Sequence, residues 1–255
     1  MSSDKHYTSN YLEETGNILN HVKELSYKPF LSLEHGTIID LGCGTGIDVH
    51  KLATTLNDNI KIIGIDHDQH LLDNAINSST KKSNTEFLLS NATDLPFENE
   101  SIDGLRTERL IQHLSEPDTV FGEIHRILRK DSPVVIVETD WPSFTIFNEL
   151  SEIDKKVNKY LTEEKVRNGY ASRRIFNYLL NHKFRNISYD IFPFILRKYS
   201  DIVTYFMFDK ILLEAYDKKY ITSQEHSSFL NCIKDYDEKG LFASSINIIV
   251  SKAIK

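Results

Sequence analysis

Apolar positions along the chain follow two rhythms that alternate. From residue 37, short apolar runs of strand length are separated by amphipathic stretches with apolar residues three and four apart, the pattern of βαβ units around a parallel sheet. Strands are predicted at 37–41, 61–66, 86–90, 102–107 and 133–139, with helices over 46–56, 69–81 and 117–129 between them. Ser115-Glu116-Pro117 supplies a cap and a first-turn proline for the third helix. Ahead of this region, Tyr11, Leu12, Ile18, Leu19, Val22 and Leu25 mark one face of an amphipathic helix over 8–28. Beyond Trp141 the pattern predicts helices over 145–165 and 169–182, a strand over 187–195, a helical stretch over 199–240 and a last strand over 242–250. One domain over 1–255 is expected: a helical N-terminal arm (1–30), a core (35–140) and a helical insertion (199–240) that caps the site with the arm.

Three segments of the core carry candidate chemistry. Ile38-Ile39-Asp40-Leu41 runs into Gly42-Cys43-Gly44-Thr45-Gly46, and a helix opens at Ile47. Glycines allow close approach of a ligand to the backbone, and a helix N-terminus offers free N–H groups to an anionic or polar group. The sixth-position glycine of a dinucleotide fingerprint is absent, since Ile47 follows Gly46. Asp40 suits a ligand with an ammonium group and would repel a pyrophosphate, so an amino-acid-bearing nucleoside fits better. Asp66 ends the apolar run Ile62-Ile63-Gly64-Ile65, about twenty residues further on, where a carboxylate can accept from both ribose hydroxyls or simply cap the next helix. The third segment is Phe87-Leu88-Leu89-Ser90-Asn91-Ala92-Thr93-Asp94-Leu95-Pro96-Phe97.

Together these segments resemble the class I S-adenosylmethionine (SAM) methyltransferases, in particular the small-molecule group related to the ubiquinone and menaquinone methyltransferases. The resemblance covers residues 35–140 well and 187–250 more weakly. It implies a Rossmann-like, doubly wound α/β fold with a mostly parallel seven-stranded sheet, an antiparallel last strand and a helical cap. It implies SAM as cofactor and S-adenosylhomocysteine as product, held by Asp40, Gly42, Cys43, Gly44, Gly46, Asp66, His67, Asn91, Ala92 and Thr107. Where the family has Gly-Asp-Ala this chain has Ser90-Asn91-Ala92; the Asn91 carbonyl can still accept from the adenine amine, and its NH₂ is an added donor that needs a partner. Cys43 stands where relatives carry a small residue and is read as space-filling.

On the acceptor side, Arg106-Thr107-Glu108-Arg109-Leu110-Ile111-Gln112-His113-Leu114 resembles the segment that begins beside the transferred methyl group. His113 has a side chain suited to accepting a proton as the methyl moves, or to packing at a helix end. Arg109 with Glu108 forms a substrate-side, cofactor-side or structural ion pair. Asp140 and Trp141 follow the fifth strand, at the sheet edge where ligands gather in open α/β folds; a capping aspartate and a core tryptophan are the other readings. Tyr7 and Tyr11, with Tyr205, Phe206, Phe208 and Tyr216, form either an aromatic lid or ordinary core.

Composition narrows the classes. The 40% hydrophobic and 26% charged fractions are those of an average globular protein, and no run approaches the length of a membrane span. The N-terminus MSSDKHYTSNYLEE lacks a basic start and apolar run, so a cytoplasmic protein with no membrane partner is expected. Two cysteines, Cys43 and Cys232, are too few for a zinc cluster or a disulfide framework, and no metal is expected. A net charge of −7 gives no general attraction to nucleic acid. The expected partner is a small-molecule methyl acceptor, with the oligomeric state left open. Two rivals are a methyltransferase acting on nucleic acid or protein, and a non-catalytic SAM-binding protein.

Overall fold

The computed structural model describes residues 20–78 and 82–255. Among them one seven-stranded sheet runs in the order β3-β2-β1-β4-β5-β7-β6. Its strands are β1 (Gly36–Leu41), β2 (Ile60–Asp66), β3 (Thr85–Leu89), β4 (Gly104–Glu108), β5 (Pro133–Ile146), β6 (Arg185–Leu196) and β7 (Ser244–Ile254). Strands β1 to β5 pair in parallel, and β7 lies antiparallel between β5 and β6. This is the expected Rossmann-like arrangement, antiparallel last strand included.

The core strands read as near-continuous apolar runs because both faces of the sheet are covered. Alternate residues serve opposite faces: Ile39, Leu41, Leu105 and Ile136 pack with α4 (Pro117–Ile127) and α6 (Ala171–Asn181). Ile38, Ile62, Val135 and Val137 pack with α1 (Asn20–Tyr27) and α2 (Ile47–Thr55) on the other. Helix α3 (Gln69–Ile76) starts at Asp68, whose side chain accepts from the amides of His70 and Leu71.

Several boundaries depart from the sequence reading, three of them between β4 and the helix after β5. Strand β4 begins at Gly104, and Ile102 makes only an isolated bridge to Leu128. Strand β5 runs through Trp141 and Pro142 to Ile146, with a register shift between Asp140 and Thr145 where the proline interrupts the ladder. Consequently the helix expected from 145 begins at Ser151 as α5 (Ser151–Tyr160), followed by a π turn, Leu161–Lys165.

The insertion between β6 and β7 is three helices, α7 (Tyr199–Phe206), α8 (Phe208–Asp217) and α9 (Ser223–Glu238). They form a separate apolar cluster with α5 and with the far ends of β5 and β6, joining Phe144, Ile146, Val157, Tyr160, Leu196, Phe208 and Phe229. This cluster is therefore built from two parts of the chain. Residues 1–19, which hold Tyr7, Tyr11 and most of the predicted arm, lie outside the described residues, as do 79–81.

Candidate functional site

The glycine turn occupies the carboxyl end of β1, with φ of 76°, 53° and 76° at Gly42, Gly44 and Gly46. Gly46 has little alternative: a Cβ there would come within 2.8 Å of both the Ala75 side chain and the Phe87 ring. The turn is tied to the next strand twice over. Gly42 and Cys43 both donate their amides to the Ile65 carbonyl, at 2.7 and 3.0 Å. Gly44 donates its amide to Asp66 Oδ2 at 2.8 Å, and the other carboxylate oxygen accepts from the Asp68 amide at 3.0 Å. Asp66 is thus 7% exposed and oriented, with lone pairs left over for further donors.

The remaining cofactor-side candidates are placed less uniformly. His67 sits 3.3 Å from Asp66 with its side chain 84% exposed. Asn91 is exposed, and its carbonyl accepts from the Thr93 amide at 3.1 Å, which uses one lone pair and leaves one. Ala92 packs on the core. Burial pushes the Cys43 thiol well above its ordinary value, which suits a filler and not a nucleophile. Thr107 is fully buried in β4, its hydroxyl without a hydrogen-bond partner among the described residues.

Asp40 belongs to a buried ionic cluster that no local pattern announces. Arg106, fully buried, reaches Asp40 at 3.0 Å, Glu108 at 2.5 Å and Asp48 at 3.4 Å, donates through Nε to Ser26 Oγ at 2.8 Å, and stacks on the Tyr27 ring. Lys23 bridges Asp48 at 2.5 Å and Glu108 at 3.2 Å, and the Tyr27 hydroxyl donates to Asp48. Three carboxylates thus share Arg106 and Lys23, and Glu108 also has Arg109 at 3.5 Å. Burial pushes Asp40 up to about 7 against the pull of Arg106. Burial also raises Asp48 and Glu108, but there the neighbouring Arg106 and Lys23 outweigh it and both are held below the ordinary carboxylate range. Since Asp40 spends an oxygen on Arg106, the ammonium contact expected from its position competes with a guanidinium already in place.

The acceptor-side candidates converge on the ends of β4 and β5. Arg109 takes a left-handed backbone, φ 52°, and lies 3.5 Å from Glu108. The 3-10 turn Ile111–His113 follows, and its first amides donate to the fully buried Glu138. Gln112 joins this turn to Trp141 and to His113, with contacts of 2.5 and 3.1 Å. Asp140, expected to line the cavity, instead accepts from Ser172 at 2.8 Å and from two nitrogens of Arg173 at 2.9 and 3.2 Å, which commits it to anchoring α6. Of the proposed lid aromatics, Phe208 is fully buried, Tyr205 and Phe206 pack into the cap core, and Tyr216 is 40% exposed. Sequence reasoning missed Lys23, Asp48, Arg106, Gln112 and Glu138; an arginine in mid-strand was the one available signal.

Burial pushes Glu138 up to about 8, against the two amides that favour its ionised form. A carboxyl raised on folding contributes stability that is complete below its unfolded value and lost as pH rises through its folded one. Asp40 and Glu138 therefore predict a melting temperature that falls between about pH 5 and pH 8, while Asp48 and Glu108 oppose acidification below their ordinary range. Glu138→Gln should flatten the upper part of the decline. Thermal melts that stay level or rise across this window in the wild type would contradict it.

Among the described residues no group of three or more His, Cys, Asp or Glu could hold a metal ion, and no helix is long and apolar enough to cross a membrane. A family model described as a methyltransferase domain matches residues 32–192. An uncharacterised 37.1 kDa protein in transposon TN4556 of Streptomyces fradiae is 34% identical over 146 residues, 57% of this chain and 42% of that protein. A demethylmenaquinone methyltransferase of Lactococcus lactis is 34% identical over 119 residues, 46% of this chain and 47% of that enzyme. The chain spans about half the length of these curated relatives. Its fold matches that of Haemonchus contortus phosphoethanolamine N-methyltransferase 2, solved with S-adenosyl-L-methionine, at a TM-score of 0.61 and 18% identity, over 99% of this chain and 58% of that one. Because the family match takes in the glycine turn, Asp66 and the whole segment from Arg106 to Trp141, the chain belongs to the methyltransferase domain family.

Proposed function

We propose that the chain is a SAM-dependent methyltransferase that moves a methyl group onto an oxygen, nitrogen or carbon of a small organic molecule by direct displacement. The observation that carries this reading is the fastening of Asp66 to the glycine turn through the Gly44 amide, at 2.8 Å. That bond presents a carboxylate for two ribose hydroxyls beside a glycine turn whose left-handed backbone at Gly42, Gly44 and Gly46 leaves the main chain bare. Gly42, Cys43 and Gly44 would face the methionine portion, with Asp40 behind them; Asp66 and His67 would face the ribose, and Asn91 and Ala92 the adenine. SAM, when bound, supplies an electrophilic methyl on a sulfonium, a reaction that needs alignment and exclusion of water more than catalytic side chains. Alignment falls to the segment from Thr107 to His113 and to Trp141, and exclusion of water to the cap.

A small acceptor is favoured by the relative named as a demethylmenaquinone methyltransferase, by the apolar cap and by the net charge of −7. On this reading the chain works as one capped domain in the cytoplasm. Isothermal calorimetry with SAM and S-adenosylhomocysteine tests it, followed by turnover on phenols, quinones and amines. Binding of both with methylation of one class is the expected result; no heat with either would sink the reading, and a salt-sensitive shift of RNA or DNA would redirect the acceptor.

A further inference from the structure

Gln112 is buried, with 3% of the residue exposed, and three of the four hydrogen-bonding sites of its side-chain amide are taken by three groups. Trp141 Nε1 lies 2.5 Å from Gln112 Oε1. An indole N–H can only donate, so the amide atom facing it is the carbonyl oxygen. The NH₂ end is then fixed, and its two hydrogens go to the Arg109 carbonyl at 3.3 Å and to His113 Nε2 at 3.1 Å. A nitrogen that receives a donor carries no proton of its own, which puts the ring proton of His113 on Nδ1. The turn that carries Gln112 is held in turn by Glu138, which accepts from the Ile111 amide at 2.5 Å and from the Gln112 amide at 3.4 Å. Asn168 closes the other side, its backbone N–H donating to the Gln112 backbone carbonyl at 3.0 Å.

We infer that Gln112 is a positioning residue of the acceptor side: its one amide fixes the ring of Trp141 and the tautomer of His113 together, and Glu138 anchors the turn that presents it. The assignment to the acceptor side rests on the methyltransferase reading; the tautomer does not. In this arrangement His113 Nε2 is spent on Gln112 and is not available to accept a proton from an acceptor molecule. The relay also reaches the cap, because the Trp141 ring packs edge-on against Phe206 at 5.9 Å between centroids. The helical insertion and the imidazole are thereby joined through Trp141 and the single side chain of Gln112.

Protein labelled with nitrogen-15 on histidine tests this, with the His113 signals identified by their loss in His113→Gln. In the wild type at neutral pH, Nε2 of His113 is expected to be unprotonated and Nδ1 protonated. In Gln112→Met the ring should relax to a mixture of tautomers, and the indole N–H resonance of the chain's one tryptophan should move to an unbonded position. A protonated Nε2 in the wild type overturns the relay even if Gln112→Met fails to fold, as does a tautomer unchanged in the folded variant. Calorimetry with SAM on the same samples separates the two readings. A wild type that shows the tautomer but takes no SAM overturns the acceptor-side assignment together with the methyltransferase reading, whereas normal SAM binding with the wrong tautomer overturns the relay alone.

Discussion

Arg106→Met is expected to lower the unfolding free energy by about 3–5 kcal/mol, the usual loss when one partner of a buried charge network is removed. The side chain is fully enclosed, so no water replaces it. Its loss strands Asp40, which has Arg106 at 3.0 Å, and leaves Asp48 with Lys23, and Glu108 with Lys23 and Arg109. Methionine recovers part of the apolar packing against Tyr27 but none of the charge, and lysine cannot replace the planar fork that reaches three carboxylates and Ser26. Denaturant unfolding of Arg106→Met, Asp40→Asn and the double variant measures the coupling directly. Adding Asp40→Asn to Arg106→Met should recover stability, because the second change removes the stranded carboxyl. A loss near zero for Arg106→Met, or additive losses in the double variant, would mean that the cluster is worth no more than an apolar core.

That cluster explains where the sequence was readable and where it was not. The glycine turn, Asp66 and the strands around them are local features: each is signalled within ten residues by apolar runs, by glycines and by the acid that ends a strand. The buried network is assembled from α1, β1, α2 and β4, with Ser26 and Arg106 bonded across 80 positions of the chain, and no spacing encodes such a meeting. Arg106 carries no role in the sequence reading, because a charge in an apolar strand has no local explanation. Gln112 goes unmarked in the sequence because its meaning depends on Trp141, 29 positions away. Strand β5 was cut short for a different reason: Pro142 is a correct local stop signal, overruled by pairing of Thr145 and Ile146 with Ser245 and Ser244 beyond the register shift. The same extension carries Phe144 and Ile146 into the cap, so an insertion that reads as self-contained is in fact rooted in the sheet. Asp140 was misplaced by a rule that holds for the sheet edge as a whole but says nothing of which way one carboxylate is drawn, here by Ser172 and Arg173.

Asp66→Ala is expected to weaken SAM binding by about 100-fold, the effect of two hydrogen bonds to a carboxylate at about 1.5 kcal/mol or more each. The residue has two duties, and the test must separate them. It fastens the Gly44 and Asp68 amides at 2.8 and 3.0 Å, so the ligand-free variant should itself lose about 1–3 kcal/mol of stability. Asp66→Asn keeps one acceptor oxygen and should retain the fold better while still losing a ribose contact. Affinity is therefore read by calorimetry on the folded protein, and stability by melts without ligand. For the wild type, the melting temperature should rise with SAM concentration as expected for a ligand that binds only the folded state, and in Asp66→Ala the rise should begin only at concentrations about 100-fold higher. If Asp66→Ala loses stability but keeps wild-type affinity, Asp66 is a structural clamp on the turn and the ribose contact lies elsewhere. If it keeps both, the glycine turn is held by the Ile65 carbonyl alone and the placement of the cofactor at this strand end is wrong.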